Sequence, residues 1–114
     1  MNKIIFKLAI ACVLTFSTTW AFAEGAWTSW HTVETVYLVG NGDNDIYVRF
    51  APYSQHINPG GCASNTWYRV LSTNEQVKFI YQMLLTSKAS GATVRGYVIG
   101  CKESYPVLRH VMIQ

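Results

Sequence analysis

"TNEQVKFIYQMLLTSKASG", residues 73–91, is the stretch whose reading decides the fold. Val77, Ile80, Tyr81, Leu84 and Leu85 recur at i, i+3, i+4, i+7 and i+8, the stripe of an amphipathic helix. Thr73 stands where an N-cap belongs, and Gln76, three residues on, completes a capping box. Glu75 falls in the expected first turn, where the helix dipole favours an anion. Lys88 falls in the last turn, and Gly91 suits the left-handed residue that ends a helix. The stretch predicts one well-made helix with a single buried face.

Around it the chain alternates like strand. Trp30–Val39, "WHTVETVYLV", places Val33, Thr35, Tyr37 and Val39 on one face, and Val36 and Leu38 make its far end apolar on both. "GNGDND", residues 40–45, is a turn cluster in which Asp43 and Asp45 read as turn formers. "IYVRF" follows with Ile46, Val48 and Phe50 inward and Tyr47 and Arg49 outward, so the two runs predict a hairpin. "TWYRVLS" is a third strand, with Trp67, Arg69 and Leu71 on one face and Tyr68 and Val70 on the other. "ATVRGYVIGC" is a fourth, with Val94, Gly96 and Val98 sharing a face. "VLRHVMIQ" is a fifth.

The order strand, strand, strand, helix, strand, strand is that of an OB-fold, a partly open five-stranded barrel whose helix covers one end. The expected class is therefore mainly β with one helix, arranged as an OB-like barrel. An immunoglobulin-like sandwich is the rival, but it needs about seven strands and no central helix. A small sheet backed by one helix is the other rival.

The N-terminus reads as an export signal. Lys3 and Lys7 precede the apolar run Leu8–Phe16, and Ala21-Phe22-Ala23 offers small residues at the first and third places before a cut after Ala23. The run is too short, and too interrupted by hydroxyls, for a span of ~20 helical residues. Acylation of Cys12 is the other reading, and it lacks the usual Leu at the third place before the cysteine. The expected product is one domain, Glu24–Gln114, periplasmic or secreted through the Sec route. A domain of about 90 residues buries only roughly 60–65% of its unfolded surface and gains from a staple or a partner. Cys62 and Cys101 are the two cysteines left, and in an oxidising compartment they predict one disulfide, worth ~3–4 kcal/mol in the chain-entropy account. Losing Lys3 and Lys7 leaves 7 basic against 6 acidic residues, too little charge to steer nucleic acid or anionic lipid.

No catalytic constellation is present. The acids are scattered over termini, turns and the helix start, and His31, His56 and His110 lie on separate elements without ligand spacing. Neither an enzyme, a metal site nor a cofactor is expected. Binding is the class that fits. "APYSQHINPGGCASN", residues 51–65, is a long loop pinned by Cys62, and it joins rings to side-chain donors and acceptors: Tyr53, His56, Asn58, Asn65 and, at its exit, Trp67. These are the candidate ligand-binding residues. The alternative keeps Trp67 in the core, Tyr53 as a cap on the loop, and Trp27 and Trp30 as covers of an open barrel end. Phe79 and Met83 lie on the helix face opposite the stripe, either as ordinary surface residues or as an oligomer interface.

In element order, export signal and single disulfide, residues 28–114 resemble the receptor-binding B subunits of pentameric bacterial toxins, of the cholera-toxin and subtilase-cytotoxin types. That resemblance implies a homo-oligomer with helices around a central pore, a cell-surface glycan or receptor as ligand, and a companion chain. The disulfide departs from the cholera-toxin pattern, in which the bridge ties the N-terminal region to a late strand. "YQMLLTSKASG", "VRGYVIGC" and "YPVL" also resemble small exported bacterial proteins to which no activity is attached. The function expected is thus an exported, non-catalytic glycan- or receptor-binding protein. The alternative is a protein-binding, inhibitor-like module using the 51–65 loop.

Overall fold

A computed structural model describes residues 24–40 and 42–114. The expected export signal at 1–23, with the alternative Cys12 reading, lies outside the described residues. The chain is mainly β with one helix: β1 Ala26–Trp27, β2 Thr32–Leu38, β3 Ile46–Ala51, β4 Tyr68–Val70, α1 Val77–Ser90, β5 Val94–Lys102 and β6 Tyr105–Ile113. The six strands form one sheet in the order β1-β5-β6-β4-β3-β2. All neighbours are antiparallel except β4 and β6, which run parallel with Arg69 opposite Val107.

The expected count of five strands becomes six because a short strand, Ala26–Trp27, precedes the first predicted run. Ala26 and Trp27 pair with Val98 and Tyr97 of β5, and His31 bridges Val94. From Thr32 the chain pairs with β3 instead. β1 and β2 therefore stand at opposite ends of the sheet order.

The inward alternation of β3 is as the sequence predicts: Ile46, Val48 and Phe50 are buried. Tyr68 and Val70 of β4, Val94 and Val98 of β5, and Leu108 of β6 complete the same core. Gly96 shares that face because Leu108 lies directly on it; a Cβ there would run into the Leu108 side chain. β2 departs from prediction. A bulge between Val33 and Thr35 breaks the alternation, so Val33 and then Val36 turn inward. The far end is not buried on both faces: Tyr37 and Leu38 are both exposed.

The helix also starts later than its sequence signals. Gln76 is its N-cap and makes no side-chain capping bond. The predicted box fails because residues 71–77 turn locally: Asn74 N–H donates to the Leu71 carbonyl and Val77 N–H to that of Asn74. The Asn74 side chain accepts from Gln76 N–H at 2.9 Å, an Asx turn that leaves Thr73 and Glu75 outside α1. The other end is as predicted, with Gly91 left-handed at φ 76° and donating to the Ser87 carbonyl. Ile80 and Leu84 are buried, and Val77 and Tyr81 pack partly on the same core. Leu85, expected in the stripe, is exposed, and Ser87 takes the inward place. Among the described residues no helix is long and apolar enough to cross a membrane.

Candidate functional site

The loop between β3 and β4 is built on His56. Its imidazole is 6% exposed and stacks on the Tyr68 ring at 4.1 Å. Nε2 accepts the Phe50 N–H at 3.0 Å, which forces the proton onto Nδ1, 2.7 Å from the Asn65 carbonyl. Burial lowers the His56 pKa and keeps the ring neutral, against the opposing effect of the Asn65 contact. Asn65 returns a bond from Nδ2 to the His56 carbonyl at 3.2 Å. Asn58 grips the backbone of Cys62 from both sides, each bond 2.8 Å. The Tyr68 hydroxyl accepts the Ile57 N–H at 2.7 Å, yet its burial pushes the phenol up to about 12. Both ring nitrogens of His56, both side-chain polar atoms of Asn58 and the Nδ2 of Asn65 are thus engaged in holding the loop.

The Cys62–Cys101 disulfide is present, with Cα atoms 5.7 Å apart. It joins this loop to the end of β5. Cys62 is buried and Cys101 exposed.

Tyr53 and Trp67, the other two candidates, come together around Arg49. The guanidinium carbon lies 4.1 Å from the Trp67 ring centre and 4.8 Å from that of Tyr53. Arg49 Nε donates to the Thr66 carbonyl at 3.0 Å, which aims the group along the rings. Its terminal nitrogens make no hydrogen bond among the described residues. Tyr37 and Tyr47, opposite one another on β2 and β3, extend the cluster with ring centres 6.0 Å apart. Tyr37 also meets Trp67 at 6.0 Å, and Tyr105 meets Tyr47 edge-on at 5.4 Å. Tyr37 is 52% exposed and Tyr53 48%, so the cluster is a surface of ring faces around a fixed cation. Such a surface supplies C–H stacking and directed N–H donors together. Sequence reasoning missed Arg49 and Tyr47 as site residues, although the outward alternation of β3 marked both. Tyr37 and Tyr105 carried no such mark, because only the strand register brings them in.

Beneath this face lies an ion network that the sequence does not announce. Arg69, 1% exposed, binds Asp45 at 2.7 Å, Asp43 at 2.8 Å and Glu103 at 3.3 Å. Lys102 Nζ reaches the same Asp45 oxygen at 2.9 Å. The Asp45 carboxylate also accepts the Ser72 N–H at 2.7 Å. Burial alone would raise the Asp45 carboxyl, but the Ser72 bond, Lys102 and Arg69 outweigh it and hold its pKa at about 2. Beyond their turn role, Asp43 and Asp45 are therefore the counter-ions of Arg69, and the network locks the β2–β3 and β5–β6 turns to β4. Tyr47 covers it, with the Arg69 guanidinium 5.1 Å from its ring centre.

On α1, away from this face, Phe79 is 62% exposed and Met83 is half-buried. Among the described residues no group of three or more His, Cys, Asp and Glu is placed to hold a metal ion. Set beside known proteins, the chain matches no family model and no curated protein.

Proposed function

We propose that this chain is an exported, non-catalytic binding protein that presents the Arg49–Trp67 face to a cell-surface glycan or receptor. The observation that carries this reading is the Arg49 guanidinium clamped between the Tyr53 and Trp67 rings on an exposed surface. Ring faces suit the C–H faces of sugars, and a guanidinium held in place is a ready hydrogen-bond donor. The acids nearest this face, Asp43, Asp45 and Glu103, are all paired to Arg69, which favours binding over acid–base chemistry. The reading includes an OB-like barrel. It is supported by the parallel contact of β4 with β6 and by one N-terminal segment that pairs first with β5 and then with β3.

The proposal extends to a homo-oligomer of the toxin B-subunit kind, acting with a companion chain. Exposed Phe79 and Leu85 on the single helix support a subunit contact there. A glycan array probed with the protein and its Trp67→Ala variant tests the ligand; binding by the variant as strong as that of the parent, or silence of both, removes the proposal. Native mass spectrometry tests assembly, and a monomer at micromolar concentration removes that part.

A second reading is an inhibitor-like module in which the 51–65 loop probes a protein partner. The bonds of His56 and Asn58 and the disulfide favour it, since they make the loop stiff while Tyr53 projects from it. A monomer silent on the glycan array is the outcome this reading expects.

A further inference from the structure

A groove of about 480 Å³ lies between the loop that leads into α1 and strands β5 and β6. None of its lining residues belongs to the Arg49–Trp67 cluster. Its apolar part is Leu71, Ile99 and Val107; Thr73, Glu75 and Gln76 on the loop stand with Arg109 on β6 as its polar part. The volume is in the range of small-ligand sites, which combine an apolar lining with a few convergent polar groups.

The walls are fixed from three sides. Asn74 Nδ2 donates to the Arg109 carbonyl at 3.1 Å and ties the loop to β6. Cys101, which also lines the groove, is bridged to Cys62. His110 stacks with Trp27, ring centres 6.4 Å apart, and meets Tyr97 at 5.6 Å. Glu75 and Arg109 carry opposite charges on this one groove, yet neither forms a side-chain ion pair among the described residues.

We propose that this groove binds a neutral saccharide of one or two rings, as a second contact of the same glycan-binding protein. This rests on the glycan reading given above. A carboxylate and a guanidinium in one groove sum to no net charge, so the site has no overall attraction for an ion of either sign. A sugar hydroxyl donates to Glu75 and, through its oxygen, accepts from Arg109, and Thr73 and Gln76 offer both kinds of partner. The C–H face of a pyranose covers the aliphatic lining, which removes apolar area from water on both sides.

The test is an amide chemical-shift titration of the disulfide-bonded protein with lactose and maltose, and with glycylglycine as a zwitterion of similar size. The expected result is shifts at residues 73–76 and 99–110 with a disaccharide. A Glu75→Ala/Arg109→Ala variant, altered only at exposed side chains, should bind at least about tenfold more weakly, the loss expected for removing hydrogen bonds to charged groups. Trp67→Ala should leave these shifts unchanged. Sugar shifts confined to Tyr53 and Trp67 would overturn the groove and leave the aromatic face standing. Groove shifts with glycylglycine but neither sugar would overturn the saccharide assignment alone. Silence in both regions, with no glycan bound on the array, would overturn both proposals together.

Discussion

Arg69 Nε donates to Asp45 Oδ2 across 2.7 Å, with the two side chains only 1% and 0% exposed. Neither charge can turn to water if the other is removed. Arg69→Ala should cost about 3 kcal/mol, the lower end of the range for breaking a buried pair, because Lys102 and the Ser72 N–H still hold Asp45. Lys102→Ala should cost much less, because Lys102 keeps partial access to solvent and leaves Arg69 in place. Urea unfolding of the three proteins measures this, and equal midpoints would contradict it.

The same network sets an acid limit. The folded Asp45 pKa is about 2 against an ordinary 3.8. A lowered carboxyl pKa contributes stability that is complete above the ordinary value and is lost as pH falls through the folded one. Stability should thus decline from about pH 4 towards pH 2, and less so in Asp45→Asn, which has already given up that contribution. Denaturant midpoints measured at pH 5, 4 and 3 provide the comparison.

His56 acts in a higher window. Its folded pKa lies below the ordinary 6.5, so the unfolded chain binds the proton more readily. Its contribution is complete above about pH 6.5 and falls away as pH drops through the folded value. His56→Ala should cost about 2–3 kcal/mol at pH 7, since it leaves the buried Phe50 N–H without an acceptor and removes the ring on Tyr68. It should also flatten the stability profile below about pH 6.5. A profile as steep as that of the parent protein would show that another group titrates there.

Gly96 tests the core. A methyl group there would meet the Leu108 side chain on the neighbouring strand. Gly96→Ala should destabilise by about 1–3 kcal/mol through overpacking. Leu108→Val should recover part of the loss, because it withdraws the atoms that clash. Thermal unfolding of the single and double variants checks the coupling, and strict additivity would rule out direct contact.

Removing the disulfide should lower stability by ~3–4 kcal/mol in the chain-entropy account. Cys62→Ser/Cys101→Ser leaves the Asn58 grip on residue 62 available, so the loop should keep its shape at low temperature while the melting point falls. Calorimetry gives the shift, and Tyr53 and Trp67 amide signals report the loop. Loss of those signals before unfolding would mean that the bridge, not Asn58, holds it.

The sequence by itself determined what depends on near neighbours along the chain. The inward set Ile46, Val48 and Phe50 follows from period-two alternation, and Gly91 ends the helix because its backbone must turn left-handed. The cysteine pair followed from the count of cysteines and the expectation of an oxidising compartment. Within the candidate site, Tyr53 and Trp67 were legible as rings at a loop and its exit. Tertiary structure decided the rest. The bulge beside Glu34 shifts β2 by one residue, and a single shift exchanges the faces of every side chain beyond it. Thr73 had the chemistry of a cap, but Asn74 bonds to the neighbouring backbone and to β6 and starts the helix later. Locally Arg69 shares a strand face with Trp67 and Leu71 and nothing more, and its partners Asp45, Asp43 and Glu103 lie 24, 26 and 34 positions away. Periodicity and propensity carry no information over such separations. Only the pairing of β3, β4 and β6 brings those charges together, and the same pairing lays Tyr37, Tyr47 and Tyr105 beside Trp67.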